Sequence, residues 1–341
     1  MRRKNLSVLN LRNSIKNNNK ILNVYSNFKK NLNLLKNKSF IVSVSGGPDS
    51  LALAALSKLL SLEKKISVFF VLVDHGIRIN SKKEATEVKK LLKSYKINLN
   101  IIKNKVKIIR NIQSQARQIR YDLIVKFAKK KNIKFILTGH HSDDQIETFL
   151  IRLSRGSGIQ GLSSMRMYTK LHNNCNLIRP FLDLRKIDLI YVAKKIFGKV
   201  FNDPSNKDRK YLRTRMRTLK VSLEKNGIHH NQILKSIKNI ASSADTFNQY
   251  FNKIYLNNVL KKKKEILINN KRLSKETLEI QLKVISKALT VFSNSYYPPR
   301  SKKISGLIER MNEKKQKKLT LSGCIIEKSS DFISIKKEVK N

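Results

Sequence analysis

One hexapeptide, Ser45-Gly46-Gly47-Pro48-Asp49-Ser50, constrains this chain more than any other feature. It lies between a β-branched apolar run at 40–45 and an apolar stretch at 49–62. The first run has the length and composition of a strand buried on both faces. The second carries its apolar residues as a helical stripe. A strand that turns through two glycines into a helix brings free N–H groups and a helix N-terminus to one point, which suits an anion. Ser45 and Ser50 add hydroxyl donors, and Pro48 fits the first helical turn, where its missing donor goes unused. Asp49 is a candidate for holding magnesium against a triphosphate. No lysine follows the glycines, so this is not a GxxxxGK[ST] loop.

Beyond the hexapeptide the chain keeps alternating. The pattern predicts strands at 66–73, 99–102 and 135–138, and helices at 81–93, 112–130 and 143–153. Ser81 is expected to cap the second helix, with Glu84 at capping-box spacing. This order predicts an α/β fold: a doubly wound parallel sheet, covered on both faces, whose ligands bind at the carboxyl ends of the strands. A Gly/Ser-rich loop follows at 155–165, a helix at 185–197, a loop with Asp203-Pro204-Ser205-Asn206 at its centre, and helical pattern from 211 to 260. After four lysines at 261–264 come a short strand, a helix at 274–292 and several short apolar stretches. The expected organisation is a basic, helical N-terminal extension at 1–38, a nucleotide-binding catalytic domain at 39–215, and a smaller, mainly helical domain with a few short strands at 216–341.

Composition narrows the partners. The chain carries 73 Lys+Arg against 23 Asp+Glu, a net charge of +50, which favours a polyanion such as RNA. A Lys-, Asn- and Ile-rich composition of the kind AT-rich codons produce accounts for part of that excess, so charge alone does not separate an RNA enzyme from a ribosomal or chromosomal protein. The two cysteines, Cys175 and Cys324, form no CxxC pair, which argues against a zinc site or a disulfide framework. No signal peptide and no apolar run of membrane-spanning length (about 18 residues) is visible, so a cytoplasmic protein without membrane association is expected.

Three further motifs fall at or near strand ends. Asp74 and His75 follow the second strand and would face the same crevice as the hexapeptide, where Asp74 is a candidate nucleotide contact. Arg117 and Arg120 share a helix face and could clamp an anion; by residue type alone, an ordinary solvated basic face accounts for them better. In Thr138-Gly139-His140-His141-Ser142-Asp143-Asp144-Gln145-Ile146-Glu147-Thr148, His140 and Asp144 are spaced for proton transfer or metal binding, and Asp143 and Asp144 suit magnesium or general-base work. Arg152, Arg155, Gly156, Gly158 and Gly161 follow as a basic loop fit to cover phosphate or RNA.

The SGGPDS hexapeptide resembles the SGGxDS signature of pyrophosphate-loop (N-type) ATP pyrophosphatases. Together with VDHGIR at 73–78, ARQIRY at 116–121, HHSDDQIET at 140–148, RGSGIQGLSSM at 155–165, DPSN at 203–206 with Arg213 and Arg217, YPPR at 297–300 and LSGC at 321–324, it resembles the tRNA(Ile)-lysidine synthetase family over 40–336. The final segment is shorter than in the largest members. The resemblance implies an adenine nucleotide alpha-hydrolase-like fold, ATP and Mg2+ as cofactors, and an isoleucine tRNA with a CAU anticodon and free L-lysine as substrates; a homodimer is left open. It implies adenylation of O2 of the wobble cytidine, release of pyrophosphate, and attack of the lysine ε-amine at C2 to give lysidine and AMP. It further implies that Ser45, Gly46, Gly47, Pro48, Asp49, Ser50 and Asp74 hold the nucleotide, with Asp49 and Asp144 toward magnesium. Asp49, His140, Asp144 and Arg117 would then serve catalysis, and Arg120, Asp143, Arg155, Arg213 and Arg217 would bind substrate. It reverses the residue-type reading of Arg117. The competing expectations are another pyrophosphate-loop enzyme acting on a tRNA base, such as a thiolase, for which two distant cysteines are poor equipment, and a non-catalytic RNA-binding protein on the same fold.

Overall fold

The computed structural model describes residues 13, 17–36, 38–106, 108, 112–201, 210–293, 298–312 and 318–338. The chain divides into two compact units, 1–241 and 242–341. The first unit opens with α1 (Asn19–Leu32), β1 (Phe40–Val44), α2 (Pro48–Lys64), β2 (Val68–Asp74), α3 (Ser81–Ser94), β3 (Leu99–Lys103), α4 (Ile112–Lys130) and β4 (Phe135–Leu137). It continues with α5 (Ser142–Leu153), the single turn α6 (Ile159–Leu162), β5 (Tyr168–Lys170), β6 (Asn176–Ile178), α7 (Lys186–Phe197) and α8 (Leu212–Lys225). The long helix α9 (His230–Asn258) crosses the division between the units.

The strands form a six-stranded sheet in the order β3-β2-β1-β4-β6-β5, parallel except for β5, which runs antiparallel to β6 at the edge. Side chains alternate across a strand, and this sheet carries a core on each face. Phe40, Val42, Val44, Phe70 and Leu72 join the apolar faces of α1, α2, α3 and α7. Ile41 and Val71 point the other way, onto Ile124, Val125 and Ala128 of α4. That is why the runs at 40–44 and 68–73 read as continuously apolar rather than alternating.

The expected doubly wound parallel sheet is therefore present, with four differences. The segment taken as an N-terminal extension walls the first core: Ile21, Val24, Tyr25, Phe28 and Leu32 of α1 are buried, and Asn18 caps the helix by accepting from the Ile21 N–H at 3.1 Å. Ser81 does not cap α3. Asn80 holds that position without a side-chain cap bond, and the Glu84 carboxylate pairs with Arg78 at 2.9 Å. The strands β5 and β6, three residues each, were not anticipated; they are too short to show periodicity. Finally, the units divide at 241/242, whereas spacing suggested 215/216. The helix α8 and the start of α9 belong with the first unit because Met216, Leu223, Ile233, Leu234 and Ile237 pack on Ile146, Phe149 and Leu150 of α5.

The second unit holds β7 (Val259–Lys261), β8 (Glu265–Asn269), the turn α10 (Asn270–Leu273), α11 (Leu278–Phe292), α12 (Ser301–Asn312), β9 (Lys318–Leu321), β10 (Cys324–Lys328) and β11 (Phe332–Lys337). The few short strands expected there pair into one five-stranded antiparallel sheet, β7-β8-β11-β10-β9. Its core-facing residues alternate: Ile266 and Ile268, Cys324 and Ile326, Ile333 and Ile335. They pack against Ile280, Val284, Ala288 and Leu289 of α11 and Ile304 and Leu307 of α12. Ser322 (φ 56°) and Gly323 (φ 70°) form the two-residue link of the β9–β10 hairpin, both in the left-handed region that a tight hairpin demands. The expected DPSN loop at 203–206 and Tyr297 lie outside the described residues. Among the described residues, no helix is long and apolar enough to cross a membrane.

Candidate active site

The sheet order reverses direction between β1 and β4, the place where open parallel sheets bind ligands. The SGGPDS turn leaves the carboxyl end of β1, and Thr138-Gly139-His140-His141 leaves that of β4. The turn is held by its own hydroxyls. Ser50 Oγ accepts from the Ser45 N–H at 3.0 Å, lies 3.2 Å from Ser45 Oγ, and donates to the Gly47 carbonyl at 3.0 Å. Gly46 sits at φ +87°, and a Cβ there would fall 2.7 Å from Val88 Cγ2, so both conformation and space require glycine. Gly47 is the N-cap of α2, with no side chain capping the helix, and Pro48 begins it. The first-turn N–H groups are thus left to meet an anion.

The two turns touch. A Cβ on Gly139 would lie 2.9 Å from the Asp49 carbonyl oxygen and 3.2 Å from the Ser50 nitrogen. Asp49 Oδ1 is buried without a hydrogen-bond partner, and Oδ2 lies 3.6 Å from His141 Nε2. His141, 2% exposed, is the N-cap of α5. Its Nδ1 accepts from the Asp144 N–H at 3.4 Å, and its own N–H donates to Asp144 Oδ2 at 3.2 Å, a closed capping box. Its Nε2 faces both Asp49 and Asp144, the latter at 3.5 Å. Burial disfavours the imidazolium, but the carboxylates of Asp49, Asp144 and Asp143 outweigh it, and the His141 pKa is raised.

His140 is the opposite case. It is half-buried, its Nδ1 lies 2.8 Å from Thr138 Oγ1, and burial together with Arg117, Arg179, Arg213 and Arg120 holds its pKa well below the ordinary histidine value. Adjacent histidines thus differ: burial and the arginines keep His140 neutral, whereas the carboxylates around His141 shift its pKa the other way. Arg117 is exposed and stacks over the Tyr121 ring at 5.3 Å; Arg120 is half-buried beside it. Asp74 closes its own turn, Oδ1 accepting from the Gly76 N–H at 3.0 Å. Neither ring nitrogen of His75 has a hydrogen-bond partner, and burial and Arg120 push its pKa down to about 4.

The expected substrate-binding residues fall into different settings. Asp143 accepts from Lys220 at 2.5 Å and from the Lys186 N–H at 2.9 Å; burial opposes its ionisation, but these contacts bring its pKa down to about 2. Arg213 and Arg217 of α8 converge on Glu147, at 3.0 and 2.6 Å, and Arg213 also lies 3.9 Å from Asp144. Arg155 is exposed in the loop after α5, which Arg152 staples by donating to the carbonyls of Gly161 at 2.6 Å and Ser164 at 3.0 Å. Three residues of the site were not singled out from sequence: Gly139, His141 and Glu147. Glu147 follows Asp144 by three residues, the spacing of one helix face, and that signal was available.

Among the described residues, no three His, Cys, Asp or Glu side chains converge as a metal cage. Magnesium carried by phosphates needs only one or two carboxylates, and Asp49, with its orphaned buried oxygen, together with Asp144 fits that smaller requirement.

Comparison with known proteins agrees with this geometry. A family model described as a PP-loop domain matches residues 16–222. A protein named tRNA(Ile)-lysidine synthase from Wolbachia pipientis wMel is 33% identical over 308 residues, covering 89% of this chain and 71% of that one. Its namesake from Orientia tsutsugamushi (strain Boryong) is 31% identical over 320 residues, covering 89% and 70%. Among solved structures, the U34-tRNA thiolase NcsA from Methanococcus maripaludis with its [4Fe-4S] cluster superposes with a TM-score of 0.53 at 22% identity, covering 65% of this chain and 80% of that one. This last likeness speaks to the fold.

Proposed function

This chain belongs to the PP-loop domain family, and from that premise we propose that it is an ATP-dependent ligase forming lysidine in an isoleucine tRNA, the activity its relatives' names describe. The observation that carries the proposal is the meeting of the SGGPDS turn and the His140–Asp144 turn at neighbouring strand ends, with Gly139 seated on the Asp49 backbone.

In this reading ATP lies with its phosphates on the N-terminus of α2 and its α-phosphate toward the β4 turn. The O2 atom of the wobble cytidine attacks that phosphorus, the bond to the β-phosphate breaks, and pyrophosphate leaves. The base must be unstacked to reach the site, which suits an anticodon loop. The ε-amine of free lysine then bonds to C2, and O2 departs with AMP, having been made a good leaving group by adenylation. His140, kept neutral by burial and the surrounding arginines, is suited to hydrogen-bond the base or the amine, while the proton the amine loses passes to water. Arg117 and Arg120 offer charge to the phosphate. Asp49 and Asp144 would hold Mg2+, which neutralises phosphate charge when bound. Arg155, exposed after α5, and Arg213 and Arg217 of α8 would offer positive charge to the RNA. Each cysteine is buried within its own unit, poor equipment for the sulfur chemistry of a thiolase.

The test is incubation with ATP, labelled L-lysine and a panel of tRNAs, followed by nucleoside analysis. Label confined to lysidine in the isoleucine tRNA with a CAU anticodon is expected; no pyrophosphate release with that tRNA and lysine would favour a binding protein on a retained fold.

A further inference from the structure

The first turn of α5 is held from behind by a buried polar cluster that the proposed chemistry does not use. His141 and Asp144 face Asp49, and Glu147 faces the arginines of α8, whereas Ser142 packs against Leu184 and His230 and Asp143 meets Lys186, Lys220 and His230. Ser142 is fully buried; its N–H donates to the Leu184 carbonyl at 2.9 Å, and its Oγ lies 3.1 Å from His230 Nε2. His230 is the first residue of α9 and is 4% exposed. Its Nδ1 faces Asp143 Oδ1 at 3.9 Å, with no hydrogen-bond partner of its own. Asp143 is already engaged by Lys220 and the Lys186 N–H. Serine, histidine and aspartate here have the order of a hydrolytic triad, but a fully buried hydroxyl cannot meet a substrate.

We infer that His230 is a positioning residue: through Ser142 it fixes the rotation and axial position of the first turn of α5, and so the placement of His141 and Asp144 against Asp49. The turn has little slack, since Asp144 and Asp49 both lie about the same distance, 3.5 and 3.6 Å, from one imidazole nitrogen. A misplacement of about 1 Å at a reacting group costs on the order of 100-fold in rate. The SGGPDS turn, by contrast, closes through hydrogen bonds among its own residues and does not draw on His230. Loss of the His230 contact should therefore lower turnover more than it weakens ATP binding, which the SGGPDS turn still supports. This rests on the reading of α5 as the catalytic helix; lysidine formation by the unaltered protein is the control that separates failure of that reading from failure of this one.

The experiment compares His230→Ala, His230→Gln, His230→Asn and Ser142→Ala in the full chain, reading kcat for lysidine formation and KM for ATP. The amide end of glutamine reaches the Nε2 position, whereas that of asparagine reaches only Nδ1. The expected result is a 10- to 100-fold lower kcat for His230→Ala, a rise in KM for ATP smaller than the fall in kcat, recovery in His230→Gln and none in His230→Asn. Ser142→Ala should match His230→Ala, and the double variant should be no worse than either, as expected of two groups acting through one contact. If His230→Ala does not fold, Ser142→Ala together with the Gln/Asn contrast decides. An unchanged kcat in Ser142→Ala, equal recovery by asparagine and glutamine, or additive losses would each overturn the inference.

Discussion

Gly139 lacks a side chain where the backbone of Asp49 fills the space a Cβ would occupy. Gly139→Ala should push the two turns apart and lower pyrophosphate release at least 10-fold, and steady-state kinetics with cognate tRNA would read it; near-normal kinetics would mean the turns accommodate a shift. Asp49→Ala should abolish ATP–pyrophosphate exchange, because it removes the buried carboxylate oxygen that has no protein partner. His75 makes a prediction about pH. Its folded pKa is depressed to about 4 from an ordinary 6.5 by burial and by Arg120. Between those values the unfolded chain binds a proton that the folded chain refuses, so stability falls as pH drops from 6.5 to 4 and levels off below that. His75→Gln should flatten this slope in urea unfolding series, and Arg120→Ala should move the His75 titration, followed by NMR, back upward.

At the scale of elements, the pairing of α5 with α8 decides how the site is braced. Glu147 is 2% exposed and faces two arginines that are partly in water. Removing one partner of a buried ion pair costs about 3–5 kcal/mol, and the partial exposure of the arginines argues for the low end. Glu147→Gln should therefore destabilise the protein by about 3 kcal/mol, readable as a lower denaturation midpoint with an unchanged slope. The unit of β1, turn and α2 was legible from sequence because everything that defines it is local: a β-branched run, two glycines, a proline at the first helical position. The ion pairs that brace α5 were not, because Arg217 lies 70 residues from Glu147, and Lys220 lies 77 from Asp143. The capping of α3 was misread for a related reason: Ser81 and Glu84 have the right spacing, but Arg78 competes for the glutamate.

For the whole molecule, a net charge of +50 makes RNA affinity a matter of ionic strength. If about six phosphates are neutralised, tRNA binding should weaken by on the order of 1,000-fold between 50 and 200 mM salt, while KM for ATP, set by a compact turn, should change little. Filter binding across a salt series checks this, and a shallow dependence would assign most of the charge to composition. The doubly wound architecture was readable because buried parallel strands announce themselves as apolar runs. The limits of the catalytic unit were not, since α8 and the start of α9 belong to it only through packing on α5.

That packing bears on how the protein can be dissected. A fragment ending at 215 would keep the whole phosphate turn yet strip Arg217, Lys220 and His230 from the acids of α5, baring Ile146 and Leu150 to water. Such a piece should aggregate or stay inert even with the motifs from SGGPDS to DPSN present, while one carried through the end of α9 retains the counter-charges those acids were folded around.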